Sequence, residues 1–374
     1  MISDTIPELT VEGDAFARGE LHGRRFARAV MDNLETYLRR FEASGLGREA
    51  VAEEGRRWLA AMSRQNADYA AEMAGIAKGA GVGEADIAVL NARYELAFTL
   101  FGKEAKKREV LLSVGPDGCT TFGLLPEITG DGHTWLGQNW DWLAGVHGGC
   151  LVLRVIRRDA PSFICLTEAG IVGGKMGVNE CGIGLVENGL ASDRDGANPL
   201  QKPFHMRCRE ILEADRFDDA LRPVLDTRRT CSANFVVGQA GGEIIDLETS
   251  PDHVTYLYPQ DGIVTHANHF MGIGHGQSQM EKVGPSTLYR AARMRRLLAG
   301  AGAPVTVEQM QAAARDTFGA PNAICRTPDE RLPEAKRTMT TAAVLIDLDA
   351  RVMLVANGPP THFAYVAFPL FQRS

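Results

Sequence analysis

Asp117-Gly118-Cys119-Thr120-Thr121, followed by Gly137-Gln138-Asn139-Trp140-Asp141, decides how the rest of this 374-residue chain is read. Gly118 has no Cβ, so the carbonyl ahead of Cys119 is as little hindered as a chain allows. A thiol beside that carbonyl can attack it. An N→S acyl shift followed by hydrolysis would cut the chain between Gly118 and Cys119. The new terminus would carry a thiol and an α-amino group on one residue. Such an amine has a reference pKa of ~7.7–8.0 and accepts a proton near neutral pH. A nucleophile served by its own terminal amine is an established activation scheme.

The two motifs together resemble the acyl-coenzyme A:6-aminopenicillanic acid acyltransferase family of N-terminal nucleophile (Ntn) hydrolases. That family holds penicillin-forming acyltransferases and amide hydrolases of the β-alanyl-dopamine hydrolase type. Gly19-Glu20-Leu21-His22-Gly23 also resembles the family's Gly-x-x-His-Gly segment, where His22 reads as a packing and hydrogen-bonding residue. The resemblance implies an α+β fold, the Ntn four-layer αββα sandwich, with an N-terminal helical arm. Two features depart from the penicillin-forming pattern. The Cys-to-Asp spacing is longer, and Phe371-Gln372-Arg373-Ser374 lacks a Ser-Lys-Leu-type address. Both bear on the substrate rather than on the mechanism.

Composition sets limits in the same direction. With 45% hydrophobic and 23% charged residues the chain is an ordinary globular one. A formal net charge of −7 argues against nucleic acid or an anionic membrane as a main partner. The Cys count of 7 is odd and no Cys-x-x-Cys occurs, so neither a disulfide framework nor a zinc cage is indicated. No metal or cofactor is expected. The N-terminus lacks a signal peptide's basic and apolar regions, and no apolar run reaches the ~18 residues of a membrane span. A reducing cytoplasm fits this cysteine usage.

Hydrophobic period predicts helices over 14–43, around Trp58 and Met62, from Tyr69 to Gly79 or Gly81, and over 84–100. Lys103–Glu109 reads as a charged, solvated loop ahead of the cut. From Cys119 the period shifts to strands: 120–125 and 133–141 about a turn at 127–132, then 151–155, 162–167, 175–179 and 182–187. Helices follow at 203–214 and 217–225, and strands at 234–237, 243–248, 253–258 and 263–268. Ser286 is expected to cap a helix to Leu298, and Thr306 with Gln309 to form a capping box. A last hairpin occupies 340–347 and 352–356. The Gly170–Met176 stretch lacks P-loop spacing, and its glycines are read as allowing close packing. Residues 1–118 are thus a helical segment, the α chain after cleavage. Residues 119–374 form the catalytic core or β chain, and the two make one structural domain.

The resemblance implies the roles. Cys119 is the nucleophile and Gly118–Cys119 the cleavage site. Asp141 orients the N-terminal amine, and Asn268, at the end of a strand, donates to the oxyanion. Arg337 is the candidate cation near the nucleophile. Thr121 falls on the nucleophile's face by strand alternation. His266 and His269 lie on opposite faces of a strand, which disfavours a shared metal. The expected partners are a small N-acyl amine and the chain's own cleaved N-terminal fragment, with self-association left open. The expected function is hydrolysis of an amide through an acyl-thioester. The alternatives are acyl transfer to an amine, or an uncleaved, non-catalytic ligand-binding protein. A papain-type enzyme and a serine hydrolase lack their signature surroundings.

Overall fold

The computed structural model describes residues 3–106, 118–300 and 304–371, with the backbone alone for 100–106. Apart from the backbone of 103–106, the Lys103–Glu109 run lies outside the described residues, as does Asp117. The N-terminal segment contributes β1 (Glu8–Val11), α1 (Ala15–Arg25), α2 (Ala27–Glu42), α3 (Arg48–Gln65), α4 (Ala67–Ala80), α5 (Glu84–Asn91) and α6 (Arg93–Lys106). Then come β2 (Thr120–Leu124), β3 (Trp135–Leu143), β4 (Cys150–Val155), β5 (Phe163–Glu168), β6 (Met176–Asn179) and β7 (Ile183–Gly189). Helices α7 (Phe204–Leu212) and α8 (Phe217–Leu225) lead to β8 (Ala233–Gln239), β9 (Glu243–Ser250), β10 (His253–Leu257) and β11 (Ile263–His266). The chain ends with α9 (Met280–Val283), α10 (Thr287–Gly300), α11 (Val307–Ala314), β12 (Thr338–Asp347), β13 (Val352–Ala356) and β14 (Tyr365–Pro369).

Two sheets face one another. One runs β1-β4-β5-β6-β7-β8-β9-β10 and the other β11-β2-β3-β12-β13-β14. Strand pairs are antiparallel except β1 with β4. Strands β2, β3 and β7 meet across the gap, α7 and α8 cover the first sheet, and α10 and α11 cover the second. This is the expected four-layer αββα order. Both β3 and β12 are buried at every position, as strands covered on both faces must be.

Caps explain several helix ends. Asn66 Oδ1 accepts the Tyr69 N–H to start α4, and Gly81 at φ 72° ends it in the left-handed conformation. Thr306 and Gln309 form the expected capping box on α11. Ser286 Oγ, by contrast, has no hydrogen-bond partner among the described residues; the neighbouring Thr287 Oγ1 instead accepts the Asn268 N–H at 2.7 Å. The long first helix is broken at Phe26 and the fourth at Ala92, and β14 is an additional strand.

The N-terminal segment is built into the sandwich. β1 extends the first sheet, and one apolar cluster runs from Val30 and Tyr37 to Leu151 and Trp140. Buried polar links add to it. The Glu168 carboxylate of β5 accepts from Tyr37 Oη at 2.5 Å, from Arg93 Nε at 2.9 Å and from Lys175 Nζ. His22 accepts the Gly170 N–H at 3.2 Å, the hydrogen-bonding role read from the sequence.

Candidate active site

Cys119 stands just ahead of β2, only 2% exposed, with Sγ 3.9 Å from the carbonyl oxygen of Asp141. Alternation puts its side chain on the face of Thr121. Thr121 Oγ1 donates to Asn188 Oδ1 of β7 across the gap between the sheets, at 2.7 Å. The thiol therefore looks into the sandwich interior, in one apolar cluster with Trp140. Asn188 Nδ2 is buried there without a partner among the described residues.

The Asp141 carboxylate lies on the opposite face of its sheet, toward the outer helices. Thr340 Oγ1 of the adjacent β12 donates to Asp141 Oδ1 at 2.6 Å, and Arg326 Nε donates to Oδ2 at 3.3 Å. Both members of this ion pair are almost wholly buried, at 1% and 0% side-chain exposure. A register shift between Thr340 and Ala342 bends β12 at this point, the kind of bulge that re-aims side chains beside sites. Arg326 is fixed by its own neighbours: its N–H goes to Thr340 Oγ1 at 2.9 Å and Nη1 to Thr338 Oγ1 at 3.2 Å.

Gly118 is buried against that guanidinium. A Cβ at residue 118 would sit 2.1 Å from Arg326 Nη2 and 2.5 Å from Cζ. Only glycine fits without displacing Arg326 from Asp141. Gly118→Ala is expected to destabilise the chain by about 1–3 kcal/mol, the usual cost of overpacking. Denaturant unfolding measures it, and an unchanged midpoint would mean that Arg326 has room to give way.

Asn268 lies two residues beyond the end of β11. Its Nδ2 donates to Gly189 O at 2.9 Å and its Oδ1 accepts from Arg290 Nη2 at 2.7 Å, which fixes the amide's orientation. Arg290 Nη1 donates to Gly118 O at 2.9 Å, Cys119 O at 2.5 Å and Thr120 Oγ1 at 2.8 Å. One buried guanidinium thus joins Asn268 to the start of β2.

Beside this cluster, His266 faces two acceptors, Glu248 Oε1 at 2.9 Å and Ala267 O at 2.8 Å. Burial opposes its charge, but Asp246 and Glu248 outweigh burial and raise its pKa to about 8. Burial raises Asp246 to about 6; Glu248, despite burial, is held at about 2 by its bond to His266. His269 contacts Thr287 Oγ1 instead, so the two histidines do not converge. Asp131, His133 and Asp347 bring ligand atoms within 4.8 Å of one another at the other end of β3. These atoms are engaged, His133 Nδ1 with Asp347 at 2.9 Å and Asp131 with Trp135 Nε1 at 3.1 Å.

The structure therefore gathers Gly118, Cys119, Thr121, Asp141 and Asn268. Arg337 is placed differently. Its guanidinium donates to Leu332 O at 2.9 Å and Glu330 O at 3.3 Å, turned toward its own loop. Among the described residues, the arginines bonded to these are Arg326 and Arg290, neither of which a motif marks. Arg290 did leave a trace in the sequence. It falls within the buried stripe Thr287, Arg290, Ala291, Met294 and Leu298 of α10, where a charge needs a reason.

Two facing sheets between helix layers, with Cys119 at the head of an inner strand, make up the αββα sandwich of the N-terminal nucleophile fold. A family model described as acyl-coenzyme A:6-aminopenicillanic acid acyl-transferase matches residues 128–360, more than half of the chain, and the chain belongs to that family. Cys119 precedes the matched stretch. The 40 kDa form of acyl-coenzyme A:6-aminopenicillanic-acid-acyltransferase of Emericella nidulans is 28% identical over 349 residues, covering 93% of this chain and 85% of the relative. Among solved structures, an N-acylethanolamine-hydrolyzing acid amidase (NAAA) ortholog of Caenorhabditis elegans aligns with a TM-score of 0.48 at 11% identity, over 67% of this chain and 100% of that one. A penicillin V acylase from Agrobacterium tumefaciens aligns at 0.43 and 12% identity, over 63% and 82%.

Proposed function

We propose that this chain is a self-processing cysteine enzyme that hydrolyses the amide of a small N-acyl amine. The observation that carries the reading is the convergence at Gly118–Cys119. A buried thiol follows a glycine whose carbonyl accepts from Arg290 and whose Cα abuts the Arg326 guanidinium, with a paired carboxylate one strand away. Cleavage frees the Cys119 amine. Asp141 then orients that amine, which takes the thiol proton as Sγ attacks the substrate carbonyl and returns it to the leaving amine. Asn268 donates to the oxyanion. The product of the first half is an acyl-thioester, and water releases the acid.

Residues 1–118 stay on the enzyme as its bound fragment, supported by β1 in the first sheet and by the Tyr37 and Arg93 bonds to Glu168. Cys150, Cys165, Cys181, Cys208, Cys231 and Cys325 are thiols, which suits a reducing cytoplasm. No helix among the described residues is long and apolar enough to cross a membrane.

Transfer of the acyl group to an amine is the second reading, favoured by the acyltransferase name of the Emericella nidulans relative. Both readings share the thioester and differ in what attacks it. Denaturing mass spectrometry of the purified protein is expected to show two chains, 1–118 and 119–374. The acyl-enzyme, trapped with an N-acyl substrate, is then given water alone or water with competing amines. Prompt release in water supports the hydrolase. Release only on addition of an amine supports the transferase. An active protein that stays one chain refutes self-processing.

A further inference from the structure

Arg290 comes from α10, on the outer side of the six-stranded sheet, yet it is only 1% exposed and reaches both sides of the Gly118–Cys119 bond. Its Nη1 lies 2.9 Å from Gly118 O. That oxygen is where negative charge gathers when any nucleophile adds to the Gly118 carbonyl carbon. Resting on the self-cleavage reading above, we propose that Arg290 is the electrophilic catalyst of that cleavage, the donor that stabilises the oxyanion on Gly118.

The chemistry requires such a donor. Cys119 Sγ adds to the Gly118 carbonyl carbon, and its oxygen becomes an oxyanion. The carbon–nitrogen bond to Cys119 then breaks, and the thiol proton ends on the departing nitrogen. A thioester between Gly118 and Sγ remains, beside a free α-amine. Water adds to the same carbon, the carbon–sulfur bond breaks, and sulfur regains a proton. Gly118 leaves as a carboxylate, and the proton left over is taken by the α-amine. Both tetrahedral intermediates put charge on the one oxygen that Arg290 holds.

The contact is suited to the transition state rather than to the resting chain. Nη1 carries two hydrogens, and three acceptors surround it: Gly118 O, Cys119 O and Thr120 Oγ1. In the resting chain those hydrogens are shared. As charge grows on Gly118 O, that oxygen draws them, so the interaction strengthens along the reaction, the condition for catalysis. The site is shielded from water, where a charged donor acts most strongly. Arginine also stays protonated at any working pH, so the donor is never lost. After Gly118 leaves, Arg290 keeps Cys119 O, Thr120 Oγ1 and Asn268 Oδ1 and goes on positioning Asn268.

The test follows full-length chains made by cell-free translation after a radioactive pulse, with cleavage read on denaturing gels. Arg290→Gln is expected to cleave about 10²–10³-fold more slowly than the wild type, the loss typical of one oxyanion donor. Arg290→Lys keeps a cation without the planar fork and is expected to fall between the two. The thermal unfolding of both variants, compared with that of the uncut Cys119→Ala chain, is expected to show that each is folded. Hydroxylamine, which cleaves thioesters, is expected to restore neither variant, because the slow step precedes the thioester. Four outcomes overturn the inference. One is cleavage of Arg290→Gln within about threefold of wild type, alongside a wild type that cleaves. Another is full rescue by hydroxylamine, since the thioester would then form without Arg290. A third is a folded Arg290→Lys chain that cleaves at the wild-type rate. The fourth is a wild-type chain that never cleaves, which also removes the reading beneath it.

Discussion

Cys119→Ala is expected to leave a folded, uncut chain of 374 residues with no measurable turnover. The substitution removes one sulfur from an apolar cluster and adds nothing, so the sandwich keeps its packing. Both proposed reactions lose their nucleophile. Loss of the nucleophile of a serine triad protease lowers kcat on the order of 10⁶-fold, and a loss of similar order is expected here. Burial raises the thiol pKa of each of the other six cysteines, which disfavours the nucleophilic thiolate. Burial pushes the thiols of Cys150 and Cys165 up to about 12, and those of Cys208 and Cys231 well above the ordinary range. A buried thiol of that kind is inert at neutral pH. Cys119→Ser separates the two reactions, because a hydroxyl can make the acyl shift less readily but still make it. The measurements are intact mass and steady-state turnover on the same preparations. Normal hydrolysis by the alanine variant would remove Cys119 from the mechanism.

Much of the fold follows from local pattern. The amphipathic period of α3 and α4, the Gly81 stop and the turn residues that bound the short apolar runs from β2 onward each reflect a rule that acts within a few residues. What the sequence hid is what tertiary packing decides. The hydrophobic recurrence from Phe16 to Phe41 runs on without Pro or a clear breaker, yet the chain turns at Phe26, whose φ of −120° leaves the helical range. The edge strand β14 is five residues that end in Pro369 and follow the Pro359-Pro360 break, too short a run to be marked off as a strand. The site divides in the same way. Cys119 and Asp141 stand in dense motifs on adjacent strands, so their neighbourhood could be read. Arg326 lies in the irregular stretch between α11 and β12 and meets Asp141 only because Cys325 and Arg326 fold beneath β12. The sequence pointed instead to Arg337, which is nearer the strand. Nothing in a linear pattern tells which of two arginines turns inward.

Asp141→Asn is expected to lower both kcat and stability, and the two losses have different origins. The carboxylate is proposed to hold the Cys119 ammonium; a well-placed general base contributes about 10²–10⁴-fold, and a loss of up to that size is expected when its orientation is lost. Asparagine cannot supply the charge. Separately, Arg326 loses its buried counter-charge, which typically costs about 3–5 kcal/mol. The double variant Asp141→Asn/Arg326→Gln removes both charges. Its stability is expected to recover by about 0.5–3 kcal/mol relative to the sum of the single losses, as for residues in direct contact. Its turnover is not expected to recover, because the amine still lacks its carboxylate. Urea unfolding of the four proteins gives the first quantity and single-turnover kinetics the second. If the double variant regained wild-type turnover, Asp141 would matter only by balancing the charge of Arg326, and the amine would have to be oriented by another group.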